Sequence, residues 1–82
     1  MDNKTALMID NKRIFLVNLQ KALISDSRNN IDALEYNVMQ VPGYDCIRES
    51  VTICFSDGSK RKIDTTANSN LANMIAIGRV LM

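Results

Sequence analysis

The segment from Asn3 to Ser25 constrains the fold most, because it is long, rich in good helix formers and free of Gly and Pro. Apolar residues recur in it every seven positions. On an α-helix such positions form one broad stripe, so a helix is predicted here, with Asp2 or Asn3 as its N-cap. The residues of this stripe are Met8, Ile9, Phe15, Leu16, Leu19, Ala22 and Leu23.

A second set of apolar residues lies off that stripe, with Val17 and Ile24 on one flank and Leu7 and Ile14 on the other. A helix that packs on one sheet needs only one apolar face. We therefore expect the chain to form a homo-oligomer through this helix. The alternative is a thick apolar stripe that its own domain covers only in part.

The same segment also fits a β-hairpin with strands at Ala6–Ile9 and Lys12–Val17 and a turn at Asp10-Asn11. Asp-Asn is a weaker hairpin turn than Asn-Gly or Asp-Gly. Because the repeat continues past Val17, the helix is the preferred interpretation.

Three segments of alternating polar and apolar residues follow the polar connector Ser25–Asn30, which indicates β-strands. Pro42-Gly43 marks a turn after the first strand, and Asp57-Gly58 is a strong hairpin turn between the other two. The strands are predicted at about 34–41, 47–55 and 60–65. In the second strand Ile47, Val51, Ile53 and Phe55 should share one face, and Arg48, Ser50, Thr52 and Cys54 the other.

The C-terminal segment is predicted to be a helix that begins near Asn68 or Ser69, both good N-caps, and continues to the end of the chain. Its apolar stripe consists of Leu71, Met74, Ile75, Gly78, Leu81 and Met82. Gly78 weakens a helix, and we interpret it as a point of close approach to the sheet or to a partner helix. With 82 residues the chain predicts a single domain, 1–82. The predicted fold class is α+β in the order α-β-β-β-α, a three-stranded antiparallel meander with two helices packed on one face.

The composition argues against an enzyme. The chain has no His, which removes the commonest general base and metal ligand, and its three Gly are isolated, so no phosphate loop exists. We expect no catalytic residues, no metal and no cofactor. Cys46 and Cys54 are too far apart along one strand for an intrachain disulfide and indicate reduced thiols in a cytoplasmic protein. An intermolecular disulfide is the alternative. No signal peptide or membrane-spanning segment is predicted.

Two groups of oxygen-bearing side chains merit consideration. Paired carboxylates can perform acid–base work without His, but a solvated sheet face is the preferred interpretation for the candidates Glu35, Asp45, Glu49 and Asp64. Asp26, Asn30 and Asp32 faintly follow the spacing of a calcium loop, yet Arg28 stands among them. We expect a helix-capping connector there.

The net charge is only +1, so a strongly basic nucleic-acid binder is not expected. A local basic patch forms from Lys60, Arg61 and Lys62 after the hairpin tip, with Arg48 on the neighbouring strand. Such a patch either meets phosphates or an acidic protein, or only protects a sheet edge from aggregation. Arg79, favourable near a helix C-terminus, and the turn residue Tyr44 complete the candidate binding residues.

The order α-β-β-β-α resembles that of the double-stranded RNA-binding domain. That family carries lysines at the entry to its last helix, where this chain reads Thr65-Thr66-Ala67-Asn68-Ser69. The second half of the chain, from Val51 through Asp57-Gly58 to the last helix, resembles short phage and mobile-element proteins. Small host-defence antagonists, including anti-CRISPR proteins and proteins that sequester nucleotide signals, have a similar size and layout.

This second resemblance implies a binder without turnover, in the cytoplasm of a host cell if phage-encoded. We therefore expect an inhibitor that self-associates and blocks a host-defence protein or sequesters a nucleotide signal. In the second case Arg48, Lys60, Lys62 and Arg79 are the phosphate-binding candidates. The alternative is a nucleic-acid-binding accessory or regulatory module that uses the patch of Arg48 and Lys60-Arg61-Lys62.

Overall fold

A computed structural model describes residues 2–44 and 46–82 of the chain. Their elements follow the order α-β-β-β-α, which confirms the predicted α+β class. The elements are helix α1 (Asn3–Ile24), a short 3-10 turn (Ser27–Asn29), strands β1 (Ile31–Gln40), β2 (Ile47–Phe55) and β3 (Lys60–Asp64), and helix α2 (Asn70–Leu81). Strand β1 begins at Ile31 rather than near Leu34. The alternation did not reveal this start, because an irregularity in the pairing with β2 between Ile31 and Ala33 breaks the regular pattern there.

Helix α1 is continuous over 22 residues, so the hairpin alternative is wrong. It begins where the Asp2 carboxylate accepts a hydrogen bond from the Thr5 N–H at 2.7 Å, which satisfies one of the free donors of the first turn. At its end Ser25 donates from its backbone N–H to Lys21 O at 3.1 Å. None of the helices in the described part of the chain is long and apolar enough to cross a membrane.

The three strands form an antiparallel sheet in the order β1-β2-β3. The hairpin between β2 and β3 turns at Asp57-Gly58 as predicted, and Gly58 adopts a φ of +89°, a conformation that favours Gly. The pairing of Val51 with Ile63 puts the apolar residues of both strands on one face.

The core lies between that face and the two helices. Leu16 of α1 and Ile77 of α2 pack in one cluster with Val51 and Ile53 of β2. Since Val51 and Ile53 point to the same side of the sheet, both helices cover one face of it. The other face of the sheet carries the polar side chains of β2 together with their cross-strand neighbours, and we call it the open face.

The outward side of α1 is unusually apolar. Leu7, Ile14, Val17 and Ile24 are 42% to 63% exposed and form one stripe on the side away from the sheet, rather than two flanks of the core stripe. We call these four residues the outer stripe of α1. The core side contains Ile9 and Leu16 as predicted, but Met8 and Ala22 are exposed.

Helix α2 is turned differently from the expectation. Its buried residues are Asn73 and Ile77, whereas Leu71, Met74 and Ile75 of the predicted stripe are exposed. A Cβ atom added at Gly78 would meet nothing within 4 Å. Close approach to the sheet is therefore the wrong explanation for this glycine.

Candidate functional site

The interior of the helix-covered side contains an ion pair that the sequence analysis did not predict. Glu49 lies on β2 in phase with Val51 and Ile53, so its side chain points at α1. Lys12 comes from the middle of α1, and its Nζ lies 2.8 Å from Glu49 Oε1. The two residues are only 6% and 3% exposed, and charges this deeply buried are rarely found without a partner.

Both oxygens of the Glu49 carboxylate are occupied. The Tyr36 hydroxyl of β1 donates a short hydrogen bond to Oε1, and the Ala67 N–H donates to Oε2 at 2.9 Å. Ala67 holds a φ of +62°, a left-handed conformation that costs an alanine about 1–2 kcal/mol. The loop before α2 is therefore held in an unfavourable backbone conformation in which its N–H reaches the carboxylate. We call Lys12, Tyr36 and Glu49 the buried polar cluster.

The cluster is poorly suited to acid–base catalysis. Burial raises the pKa of Glu49, but the hydrogen bonds from Lys12, Tyr36 and Ala67 outweigh it and hold the pKa below its ordinary value. Burial and the bond to Glu49 raise the pKa of Tyr36 above its ordinary range. A catalytic base works best with a pKa near the ambient pH, and both shifts lead away from it. The cluster ties α1, β1, β2 and the loop before α2 together.

A groove of about 710 Å³ adjoins this cluster between the N-terminal half of α1 and the loop that leads into α2. Leu7 and Met8 of α1 form its apolar wall, and the segment Thr66–Asn70 forms the polar one. The Ser69 hydroxyl caps α2 by accepting from the Ala72 N–H at 3.1 Å. Glu49 and Lys12 also line the groove, but they are bonded to each other.

Three of the predicted binding residues come together on the open face. In the sheet register Lys62 lies opposite Thr52 and Lys60 opposite Cys54, and directly opposite residues share a face. Arg48 projects on the same side and forms an exposed ion pair with Asp64, with Nη2 2.9 Å from Oδ2. A hollow of about 490 Å³ on this face is lined by Asn37, Met39, Arg48, Ser50, Lys62 and Asp64.

The other three predicted residues lie elsewhere. Arg61 pairs with Ile53 in the register, so it projects from the edge strand toward the helix side. Arg79 is exposed in the last turn of α2, where a cation is favourable. Tyr44 is 71% exposed in the turn between β1 and β2. The basic patch of the sequence analysis is therefore divided between two faces, because neighbouring residues of a strand alternate sides.

The carboxylate candidates are likewise separated. Glu35 and Asp64 are exposed on the open face, as expected, whereas Glu49 is buried on the other, so the expectation of a solvated position is wrong for it. Asp45 lies outside the described residues. Across the described ranges, 2–44 and 46–82, no group of three or more His, Cys, Asp or Glu side chains could hold a metal ion.

The remaining polar predictions fall in connectors and strands. Asp26 caps the 3-10 turn and forms an ion pair with Arg28 at 2.8 Å, which fits the expected capping connector. Cys46 and Cys54 are free thiols, and burial raises the pKa of Cys54.

Sequence reasoning missed Lys12 and Glu49 as members of one site. The signal for Glu49 was present in the alternation of β2, since its odd position places it with Val51 and Ile53. No comparable signal marked Lys12, because its partner is 37 residues away. Models of known families, curated proteins and solved structures give no match to this chain.

Proposed function

We propose that this protein is a non-enzymatic binding protein that self-associates through α1 and captures a nucleotide on the open face of its sheet. The observation that carries the proposal is the outer stripe of α1, four large apolar side chains exposed on the side of the helix away from the sheet. Exposed apolar surface of this kind marks sites of protein association. The domain is small, and small domains often gain stability by association.

The open face supports the second part of the proposal. If α1 pairs with another copy, this face is on the opposite side of the molecule and stays accessible. It presents Lys60 and Lys62, and neither has an ion-pair partner in residues 2–44 and 46–82. Ammonium groups bind phosphate, and Asn37 and Ser50 in the adjacent hollow offer hydrogen bonds to a sugar or base.

The choice of a nucleotide over a long nucleic acid follows from the charge of this face. Glu35 and Asp64 lie among its cations, and Asp64 neutralises Arg48. Binding along a nucleic-acid backbone needs many uncompensated cations, whereas a nucleotide needs two or three. Sequestration of a nucleotide signal, as in the phage proteins that the layout resembles, is the biological role that we propose.

The test is calorimetric titration with a panel of mononucleotides, dinucleotides and cyclic dinucleotides, plus one short oligonucleotide. Lys60→Gln/Lys62→Gln should weaken nucleotide binding by about tenfold or more, since each charge-assisted bond contributes on the order of 1.5–3 kcal/mol. Arg61→Gln/Arg79→Gln is the charge-matched control and should leave the affinity within about twofold.

Chromatography of the recovered ligand should show it chemically unchanged. Conversion of any nucleotide would contradict the non-enzymatic part of the proposal, and equal weakening by both double variants would contradict the assignment to the open face. If only the oligonucleotide binds, and its binding depends on salt, the ligand of this face is a nucleic acid and not a nucleotide.

A further inference from the structure

Two charged residues lie in line with the four apolar residues of the outer stripe of α1. Asp10 lies between Leu7 and Ile14, and Lys21 lies between Val17 and Ile24. The six positions 7, 10, 14, 17, 21 and 24 alternate spacings of three and four, which is the repeat of the contact positions in a coiled coil. All six residues are exposed.

The order of residue types along this repeat is symmetric. Positions 7 and 24, 10 and 21, and 14 and 17 are equidistant from the point midway between Phe15 and Leu16. Read from either end, the apolar positions coincide, and the acidic position exchanges with the basic one. Asp10 and Lys21 form no ion pair within residues 2–44 and 46–82.

We propose that α1 pairs antiparallel with α1 of a second copy about a two-fold axis through this midpoint, so that Asp10 of each copy faces Lys21 of the other. In this arrangement Leu7 meets Ile24 of the second copy, and Ile14 meets Val17 of the second copy. An antiparallel coiled coil pairs its two kinds of contact position in this way, and a two-fold interface requires a self-complementary surface.

Charge selects this orientation over the parallel one. A parallel pair in register would put Asp10 against Asp10 and Lys21 against Lys21 of the second copy, and like charges at facing positions are destabilising. The antiparallel pair turns both repulsions into attractions. The inference rests on the proposed self-association and specifies its partner, its orientation and its register.

The interface consists of six layers, three on each side of the two-fold axis, and it extends along a helix of 22 residues, or about 33 Å. Small interfaces of this kind give weak and transient complexes. We therefore expect a dimer with a dissociation constant on the order of micromolar, and a solution mass that depends on protein concentration.

Sedimentation equilibrium of charge-reversed full-length chains tests the pairing. Asp10→Lys alone, or Lys21→Asp alone, should weaken the homodimer by about tenfold or more, because each creates two like-charge contacts across the axis. The double variant Asp10→Lys/Lys21→Asp should recover the affinity of the unmodified chain, since the exchanged charges again face each other.

Mixing the two single variants gives the sharpest result. In their heterodimer every charged contact is between opposite signs, so it should form in preference to either homodimer. Circular dichroism serves as the folding control, and because both positions are exposed we expect unchanged helix content.

Cysteine cross-linking tests the orientation in a Cys46→Ser background. Leu7→Cys/Ile24→Cys should give a disulfide-linked dimer, whereas Leu7→Cys alone should not, because the two copies of position 7 lie about 25 Å apart along the antiparallel pair. Cross-linking of the single variant would show a parallel pair and overturn the inference.

Failure of the proposed self-association and failure of the antiparallel pairing give different results. A monomer at all concentrations would overturn both the self-association in the proposed function and the present inference. A dimer that is insensitive to charge reversal would overturn the inference alone and would place the contact elsewhere, with the exposed face of α2 as the next candidate.

Discussion

Lys12 Nζ lies 2.8 Å from Glu49 Oε1 across the interface between α1 and β2, and both side chains are more than nine-tenths buried. The first residue comes from the middle of a helix and the second from the middle strand of the sheet. Their contact fixes the position of the helix along the strand, because an unpaired charge in this interior would be expensive.

Removal of one partner of this pair should destabilise the protein strongly. We expect Lys12→Met to lower the free energy of unfolding by about 3–5 kcal/mol, because it leaves the Glu49 carboxylate buried without its cation. Urea denaturation followed by circular dichroism measures the loss. Arg48→Ala, which removes one partner of an exposed ion pair, is the control and should cost less than about 1 kcal/mol. Equal losses in the two variants would contradict the buried role.

Glu49 should also contribute to the pH dependence of stability. Its pKa in the folded protein lies below the ordinary value of 4.5, so below pH 4.5 the unfolded chain binds more protons. The stabilisation is therefore present above pH 4.5 and is lost as the pH falls through the folded pKa. When the unfolding free energy is measured from pH 3 to pH 7, it should fall less steeply toward low pH in Glu49→Gln than in the unmodified protein.

Other carboxylates, those of Asp2, Asp26, Asp57 and Asp64, also have lowered pKa values. The unmodified protein and the Glu49→Gln variant both retain these carboxylates. The difference between their curves of unfolding free energy against pH therefore reports Glu49 alone. If the unfolding free energy of both proteins falls equally steeply toward low pH, Glu49 keeps its ordinary pKa in the folded protein.

Tyr36 should contribute to the pH dependence of stability at high pH, where its contribution declines as the pH rises. Its folded pKa is raised above the ordinary value of 10.0, so the folded protein retains a proton that the unfolded chain loses. This stabilisation is present below pH 10.0 and is lost as the pH rises toward the folded pKa. Tyr36→Phe should reduce the alkaline decline in unfolding free energy, with exposed Tyr44→Phe as the matched control. If Tyr36→Phe leaves the alkaline decline unchanged, the raised pKa that burial and the bond to Glu49 give Tyr36 would be contradicted.

Asn73 should be a site where a simple substitution stabilises the protein. Its side chain is fully buried in α2, and neither its Nδ2 nor its Oδ1 has a hydrogen-bond partner among the described residues. A buried unpaired polar group costs about 1–3 kcal/mol, so Asn73→Ala should raise the unfolding free energy by about 1 kcal/mol. Exposed Asn18→Ala shares only the gain in helix propensity and should give a smaller increase. Loss of stability in Asn73→Ala would reveal a favourable contact of this amide.

Gly78→Ala tests whether Gly78 only weakens α2 or also packs against a partner helix. The position lies inside α2, and a Cβ there meets no atom within 4 Å, so the variant should gain about 0.5–1 kcal/mol in unfolding free energy. It should leave the dimer affinity unchanged if α1 forms the interface. A weakened dimer would instead show that Gly78 packs against a partner helix.

The fold class could be read from the chain because each element carries its own local signal. The seven-residue repeat of α1, the alternation in β2 and the Asp57-Gly58 turn depend on residues close in sequence. The outer stripe could be recognised as surplus for the same reason, since one helix covering one sheet needs only one apolar face.

The sequence alone did not determine which face of each helix is buried, and Lys12 and α2 show why. Lys12 interrupts the apolar side of α1, and its sequence neighbours alone would suggest a solvated residue. Its burial depends on Glu49, which lies 37 positions later in the sequence and contacts it in the fold. In α2 the more apolar stripe faces outward while Asn73 faces inward. Local periodicity reports that a stripe exists, but only long-range packing decides which stripe meets the sheet and which one remains for a partner.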